Sequence, residues 1–559
     1  MWCFLARWWL TTLIVVVSVC AQEKREPPRR QVSLPGDSLD LKGSDRLPKI
    51  DLPEFVITGK EIIDLPVFSK TSVDEYNVFD AATRTKGPGY RESTRVELGG
   101  SPKEQIGFSP VTGGFNGKVI GGYGSFQTPY FDGWFGKTFS TSDFLLKAGF
   151  TSSGGHIPNA DFRKGYSGIS GGFYLPEGSS FAGGGRLQGN ARIQGATYRL
   201  FGSRTPDRRR TLGRFASDIS FSSTSQGALQ YVSAVHLHNA SLSDSVTSRE
   251  TILGIELNAG REFKSFEVTG GIGLWSNSYS AASASSDPYL FHARLSVRHR
   301  VAGQLDIVAG GSAYLFQGSD TKRLGRAFPM LGVLWYTNQR LTLSARFEPY
   351  VRRATLFAMV EDNPYLFNDV RIRHPEYYNV FSLAAEGEIS NTIRTRVSFD
   401  YTQVRSYPMY SDPAFSGVWT AEYFGNNRLL SFNGDIYLDI AEDGYFAASL
   451  KVRGSRNSRT EESIPYYPAL LVSGLYTHRF GVGLAVTPSL QVIGKRFTDV
   501  RNTHSLPSYA LLSVEAEYPI VERLTAALVI HNLLDADQRR FDGYAGLPRT
   551  LSLGVGFSW

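Results

Sequence analysis

The chain has 559 residues, with Gly 57, Tyr 28, Phe 36 and Trp 8 but only Met 4, and with charged residues at 20%. That is the balance of a glycine- and aromatic-rich β protein, because an array of helical soluble domains would carry more Ala, Leu, Glu and Lys. Beyond residue 20 no apolar run is long enough for a membrane helix, and a net charge of +7 without a basic cluster makes no case for nucleic acid as a partner.

Residues 1–21 have the form of a secretory signal peptide. Arg7 supplies the positive start, Leu10 to Val19 the apolar stretch, and Val19, Cys20 and Ala21 a small-residue cleavage site before Gln22. The mature chain is expected to leave the cytoplasm. Val19 is too bulky for the usual lipidation motif before Cys20, which favours simple cleavage. Cys3 and Cys20 both lie in this segment, so the mature form is expected to have no thiol, disulfide or Cys-ligated metal.

From residue 22 to 115 the chain has the composition of an extended, largely disordered arm. It is polar and Pro-bearing, with too little apolar surface to offset the entropy of ordering it. One β-branched island, Leu52 to Gly59, is bounded by Pro53 and Gly59. It suits a strand added to the edge of a partner's sheet, and equally a strand packed within this protein.

From Asn116 the pattern changes to period-two alternation that persists to the end. In the last segment Leu551, Leu553, Val555, Phe557 and Trp559 alternate with Ser552, Gly554, Gly556 and Ser558. Phe291, Ala293, Leu295 and Val297 likewise alternate with His292, Arg294, Ser296 and Arg298. Tight turns near Ser390, Asp443 and Gly481 alternate with longer loops, of which 354–375 and 406–427 are the longest. Short connections at one end and long ones at the other predict an all-β, transmembrane antiparallel β-barrel of about 22 strands over 116–559, with both barrel termini on the periplasmic side. The segment 179–203 is longer than one spanning strand requires.

Aromatic residues including Tyr130, Phe131, Trp134, Phe135, Trp275, Tyr314, Phe316, Trp335, Tyr336, Tyr518 and Trp559 are expected at the strand ends as a membrane girdle. The opposite face carries Arg294, Arg298, Arg346, Arg394, Arg396, Asp400, Glu515 and Glu517. Charges cannot be buried cheaply in lipid, so this face is expected to line the lumen as a solvated wall of ion pairs.

The closing segments, Asn532 to Asp535, Gly543 and Tyr544, Pro548 to Thr550 and the strand ending at Trp559, resemble the C-terminal barrel of TonB-dependent receptors. Asn363 to Leu366 and His374 to Glu376 are similar to that family's mid-barrel loop. The resemblance implies that Glu54, Phe55, Val56, Ile57, Thr58 and Gly59 form a TonB-box-like segment for a TonB-type energy transducer. It also implies that Phe557 and Trp559 belong to a signal read by the barrel assembly machinery. The family's globular plug has too little room between residues 60 and 115, so the plug is expected to be reduced or supplied by a partner. Either the arm 22–115 folds into the lumen, long loops cover it, or another chain fills it, a plug protein or a surface lipoprotein being the candidate partners.

Catalytic motifs, cofactor signatures and Cys-rich metal spacings are absent from the sequence. His236 and His238 share a strand face and are expected to be polar lumen lining rather than a metal site. Glu386 and Glu388 have the same explanation. The expected function is an outer-membrane transport component taking up an unidentified solute; a passive porin-like channel and a structural or assembly subunit anchored by its barrel are the alternatives.

Overall fold

A computed structural model describes residues 115–559, apart from 176–183, 224–228, 283–284, 303, 338–339, 391 and 441–443. The expected signal peptide, the arm to residue 114 and the TonB-box-like segment lie outside the described residues.

The wall is built from 22 antiparallel strands. The first nine are β1 (Asn116–Gly124), β2 (Thr128–Thr138), β3 (Ser142–Ser153), β4 (Phe162–Tyr174), β5 (Gly185–Arg199), β6 (Arg209–Ser223), β7 (Gln230–Ser243), β8 (Thr247–Glu262) and β9 (Phe266–Ser280). β10 (Tyr289–Ala302), β11 (Leu305–Gln317), β12 (Leu324–Tyr336), β13 (Leu341–Phe347), β14 (Glu376–Ser390) and β15 (Ile393–Arg405) follow. The closing set is β16 (Asn426–Ile440), β17 (Gly444–Asn457), β18 (Leu470–Arg479), β19 (Ala485–Ile493), β20 (Tyr509–Val521), β21 (Leu524–His531) and β22 (Thr550–Ser558). Each pairs with its sequence neighbour, and β22 returns to pair with β1 from Lys118 opposite Ser558 to Gly124 opposite Ser552. Closure leaves no free edge, which is what a sheet needs in order to span hydrocarbon. The expected strand over 179–203 is the shorter β5, and β13 breaks at Pro349, which cannot donate to the ladder, before pairing resumes at Tyr350–Val351.

Alternation places apolar residues outside. On β22 Leu551, Leu553, Val555 and Phe557 are exposed on the outer face, with Val555 at 51%, while Thr550, Ser552, Gly554 and Gly556 are buried. The inner glycines have a local cause. Tyr130 lies across Gly122 and Gly554, where an added Cβ would collide with its ring. Leu253, Ile255, Leu295, Leu331 and Val397 continue the exposed apolar surface around the wall. Such a surface is stable only against lipid.

The aromatic residues divide between the two faces. Phe131, Trp335, Tyr518 and Trp559 are exposed outside, as a girdle requires. Trp275 and Phe316 are instead buried inside, Tyr336 reaches inward to Asp306, and His292 and Tyr314 stand side by side on the inner face. An aromatic ring with a polar edge suits a wet wall as well as a headgroup layer, so residue type alone did not separate the two.

The strands are joined at one end by tight connections such as 522–523 and at the other by 352–375, 406–425, 458–469, 494–508 and 532–549. Both the start of β1 and the end of β22 lie at the tight-turn end, which makes it the periplasmic one.

Candidate functional site

The long loops meet in a packed core that covers the outer mouth. Within 352–375 lies α1 (Leu356–Asp362), capped by the Thr355 hydroxyl accepting from the Ala358 N–H at 3.1 Å. Leu356, Met359, Val360, Tyr365 and Leu366 are buried among wall residues Tyr198, Leu212, Leu242 and Tyr279 and loop residues Trp419, Phe541 and Tyr544. The rings of Tyr365 and Tyr544 stack at 3.5 Å between centroids, and Trp419 donates its Nε1–H to the Tyr466 hydroxyl at 3.1 Å. The wall turns lipid-facing surface outward, and this cap is the largest water-excluding core among the described residues, with smaller buried clusters around Tyr377 and Met409 and around Trp275 and Phe316.

Polar side chains at the outer ends of β5–β9 bind the loop to the wall. Arg210, 1% exposed, pairs with Asp244 at 2.6 Å and donates through Nη1 to the carbonyls of Pro364 at 2.9 Å and Leu366 at 2.6 Å. The Tyr198 hydroxyl also donates to Pro364 O, and those of Ser248 and Tyr279 donate to Asn368 O and Val370 O. Glu250 accepts from Asn277 and from the backbone N–H of Leu356. Burial alone would raise the Asp244 carboxyl; the Arg210 guanidinium and the Val246 N–H outweigh it and hold the group below the usual Asp range. His374, at the far end of the same loop, accepts from the Ala354 N–H at 3.1 Å, and burial with the nearby Arg353 charge lowers its pKa to about 4.

Below the cap is a cavity of about 1130 Å³ whose lining comes from β5 through β17 and from the 349–353 segment. Its cations, among them Arg214, Arg294, Arg346, Arg353, Lys451 and Arg453, outnumber its carboxylates. Arg294 pairs with Glu348 at 2.9 Å, Arg353 stacks over the Trp275 ring at 3.5 Å, and Asp400 accepts from Ser382, Ser431 and Asn433. A second cavity of about 700 Å³ lies along the inner wall of β14–β21.

The structure brings Arg294, Arg346, Arg396 and Asp400 to the first cavity and Arg394, Arg396 and Glu515 to the second. Arg298 pairs with Glu267 at 3.4 Å, and Glu517 faces Lys118 at 3.8 Å, so both belong to inter-strand pairs. Phe557 and Trp559 are stacked on the outer surface at the seam, where Trp559 and Gly117 exchange backbone hydrogen bonds of 3.1 and 3.2 Å. Sequence reasoning missed Arg210, Glu250 and Asp218. Arg210 and Glu250 act across more than a hundred residues of chain, which no local pattern reports, whereas the inward parity of Asp218 was readable from β6.

No family model and no curated protein matches the chain. Solved structures do. The FrpB iron transporter from Neisseria meningitidis (F3-3 variant) matches with a TM-score of 0.64 at 10% identity, over 80% of this chain and 82% of that one. The copper transporter OprC matches with a TM-score of 0.63 at 12% identity, over 80% of both chains. The fold is that of the TonB-dependent receptor barrel. The ferric yersiniabactin uptake receptor FyuA from Yersinia pestis shares it, with a TM-score of 0.59 at 11% identity over 80% of both chains. A TonB-dependent receptor-like barrel with an apolar outer belt is an outer-membrane protein of the Gram-negative type.

Proposed function

We propose that the chain is a gated uptake component of the outer membrane, coupled to a TonB-type transducer through residues 54–59. The observation that carries this reading is the cap. A passive porin works through an aqueous path open at the mouth, whereas here the mouth holds a buried, aromatic-rich core bound to the wall by Arg210. A closed mouth above a roomy chamber is the geometry of a channel that must be opened to work. The solved neighbours described as iron, copper and ferric yersiniabactin carriers support uptake of a scarce solute, and the excess of Arg and Lys around the chamber favours an anionic one.

The test is energy coupling. A strand added to a partner's sheet is held by main-chain hydrogen bonds, so Val56→Pro or Ile57→Pro removes a donor from the ladder, while Val56→Thr keeps it. Pull-down with a TonB periplasmic domain should be lost in both Pro variants and kept in Val56→Thr, with all three proteins in the outer membrane at wild-type levels. Wild-type chain that fails to bind the TonB domain overturns the coupled reading. Purified wild-type barrel that lets small sugars swell liposomes freely overturns the gated one.

A further inference from the structure

On the chamber wall at mid-depth, Asp218 of β6 and His236 of β7 face each other across the ladder, and His238 is the next inward residue of β7. Their donor atoms converge. His236 Nδ1 lies 2.5 Å and His238 Nε2 3.0 Å from the same Asp218 oxygen, and all three side chains are partly reachable from the cavity. This is the cluster among the described residues in which three metal-ligating side chains come within 4.8 Å of one another. We propose that Asp218, His236 and His238 form a binding site for one divalent transition-metal ion of the iron-to-zinc series.

Three features carry the assignment. Two imidazoles and one carboxylate are a donor set for Fe²⁺, Ni²⁺, Cu²⁺ or Zn²⁺, and not for Ca²⁺ or Mg²⁺, which take oxygen ligands. Donors bound to one such ion at about 2.1 Å stand about 3.4 Å apart in a tetrahedral arrangement, so the cluster needs to open by less than about 1 Å to admit it. The surroundings also have the form that supports a metal-bound histidine. If Nδ1 of His236 is the ligand, its other nitrogen, Nε2, is buried, makes no hydrogen bond in the described structure and lies 4.0 Å from the Glu256 carboxylate. A ligating imidazole commonly donates its second N–H to such a carboxylate, which fixes the tautomer. Glu256 is itself held by the Trp275 Nε1–H at 3.1 Å, and the Trp275 ring stacks on His236 at 4.6 Å between centroids. The geometry assigns Glu256 the role of positioning residue and leaves the cavity side of the ion open to water or a solute group. The site does not depend on the uptake reading, because a passive or purely anchoring barrel with this wall would bind the ion equally.

The experiment uses the full mature chain, free of any His tag, stripped with chelator and held in detergent. Titration with CoCl₂ should give visible d–d absorption saturating at one ion per chain, and calorimetry should show one site for ZnCl₂ and none for CaCl₂. His238→Ala and His236→Ala should each weaken Zn²⁺ binding at least about tenfold, and Glu256→Gln should weaken it by about tenfold while keeping the cobalt spectrum. Heat-modifiable migration checks the fold of each variant, with His238→Asn replacing His238→Ala if the latter does not assemble. Wild-type chain that gives no cobalt band and no Zn²⁺ heat overturns the proposal, as does a double His236→Ala, His238→Ala variant that binds Zn²⁺ as tightly as wild type.

Discussion

Arg210 and His374 show how single buried polar groups hold the outer mouth closed. Removing one partner of a buried ion pair costs about 3–5 kcal/mol, since the other charge remains without compensation. Arg210→Ala leaves the buried Asp244 carboxylate without its cation, held by the Val246 N–H and the Ser245 hydroxyl, and takes donors from the carbonyls of Pro364 and Leu366. The cost falls on the loop. External protease is expected to cut within 354–372 at least about a hundredfold faster in Arg210→Ala than in wild type, with Arg210→Lys between them because an ammonium lacks the guanidinium fork. Acid should act in two stages. His374 has a folded pKa of about 4, below the ordinary value near 6.5, so its contribution is full above that value and is lost as pH falls from about 6.5 to about 4. Asp244 also has a lowered pKa, so its contribution is full above the usual Asp range and is lost only as pH falls below it. Protease sensitivity of the loop measured against pH should rise first in the His374 window, and His374→Gln should remove that first rise while leaving the second.

The strands are the scale at which the sequence was most legible, because one face meets lipid and a one-residue slip would turn every side chain over. On β17 the alternation separates Val452, 46% exposed outside, from Ser449, which lines the inner cavity. An Arg near the bilayer midplane costs roughly 2–4 kcal/mol on the lipid face, so Val452→Arg should lower the urea midpoint of refolded barrel in vesicles while Ser449→Arg leaves it nearly unchanged. Equal effects would place the register one residue out. The strand alternation, the strand number and the closing strand β22 could all be read in this way. Other features could not. The inward turn of Trp275 and Phe316 escaped because rings occupy both faces. Loops covering the lumen were one of the expectations, but how 352–375 and 406–425 pack together escaped because they have no period to read. The His236 and His238 pair was visible as alternate residues of one strand, yet its third member required the β6–β7 register that sets Asp218 opposite His236.

Across the whole molecule two kinds of stability are divided between two parts. The wall is held by a closed ladder of backbone hydrogen bonds and an apolar outer surface, and neither involves the loops. The cap is held by a water-excluding core and by the polar anchors at the outer ends of β5–β9, with no share in the lipid contact. Replacing 356–372 with a short Gly-Ser linker should therefore leave outer-membrane insertion and heat-modifiable migration intact. The same change removes Leu356, Tyr365 and Leu366 from under Trp419 and Tyr544, so the mouth should open. Cells carrying the replacement are expected to become sensitive to a bulky glycopeptide antibiotic that the wild-type barrel excludes. If sensitivity stays at the wild-type level while the barrel assembles normally, the barrier lies deeper in the lumen than the cap, and opening the mouth alone is not the step that gates passage.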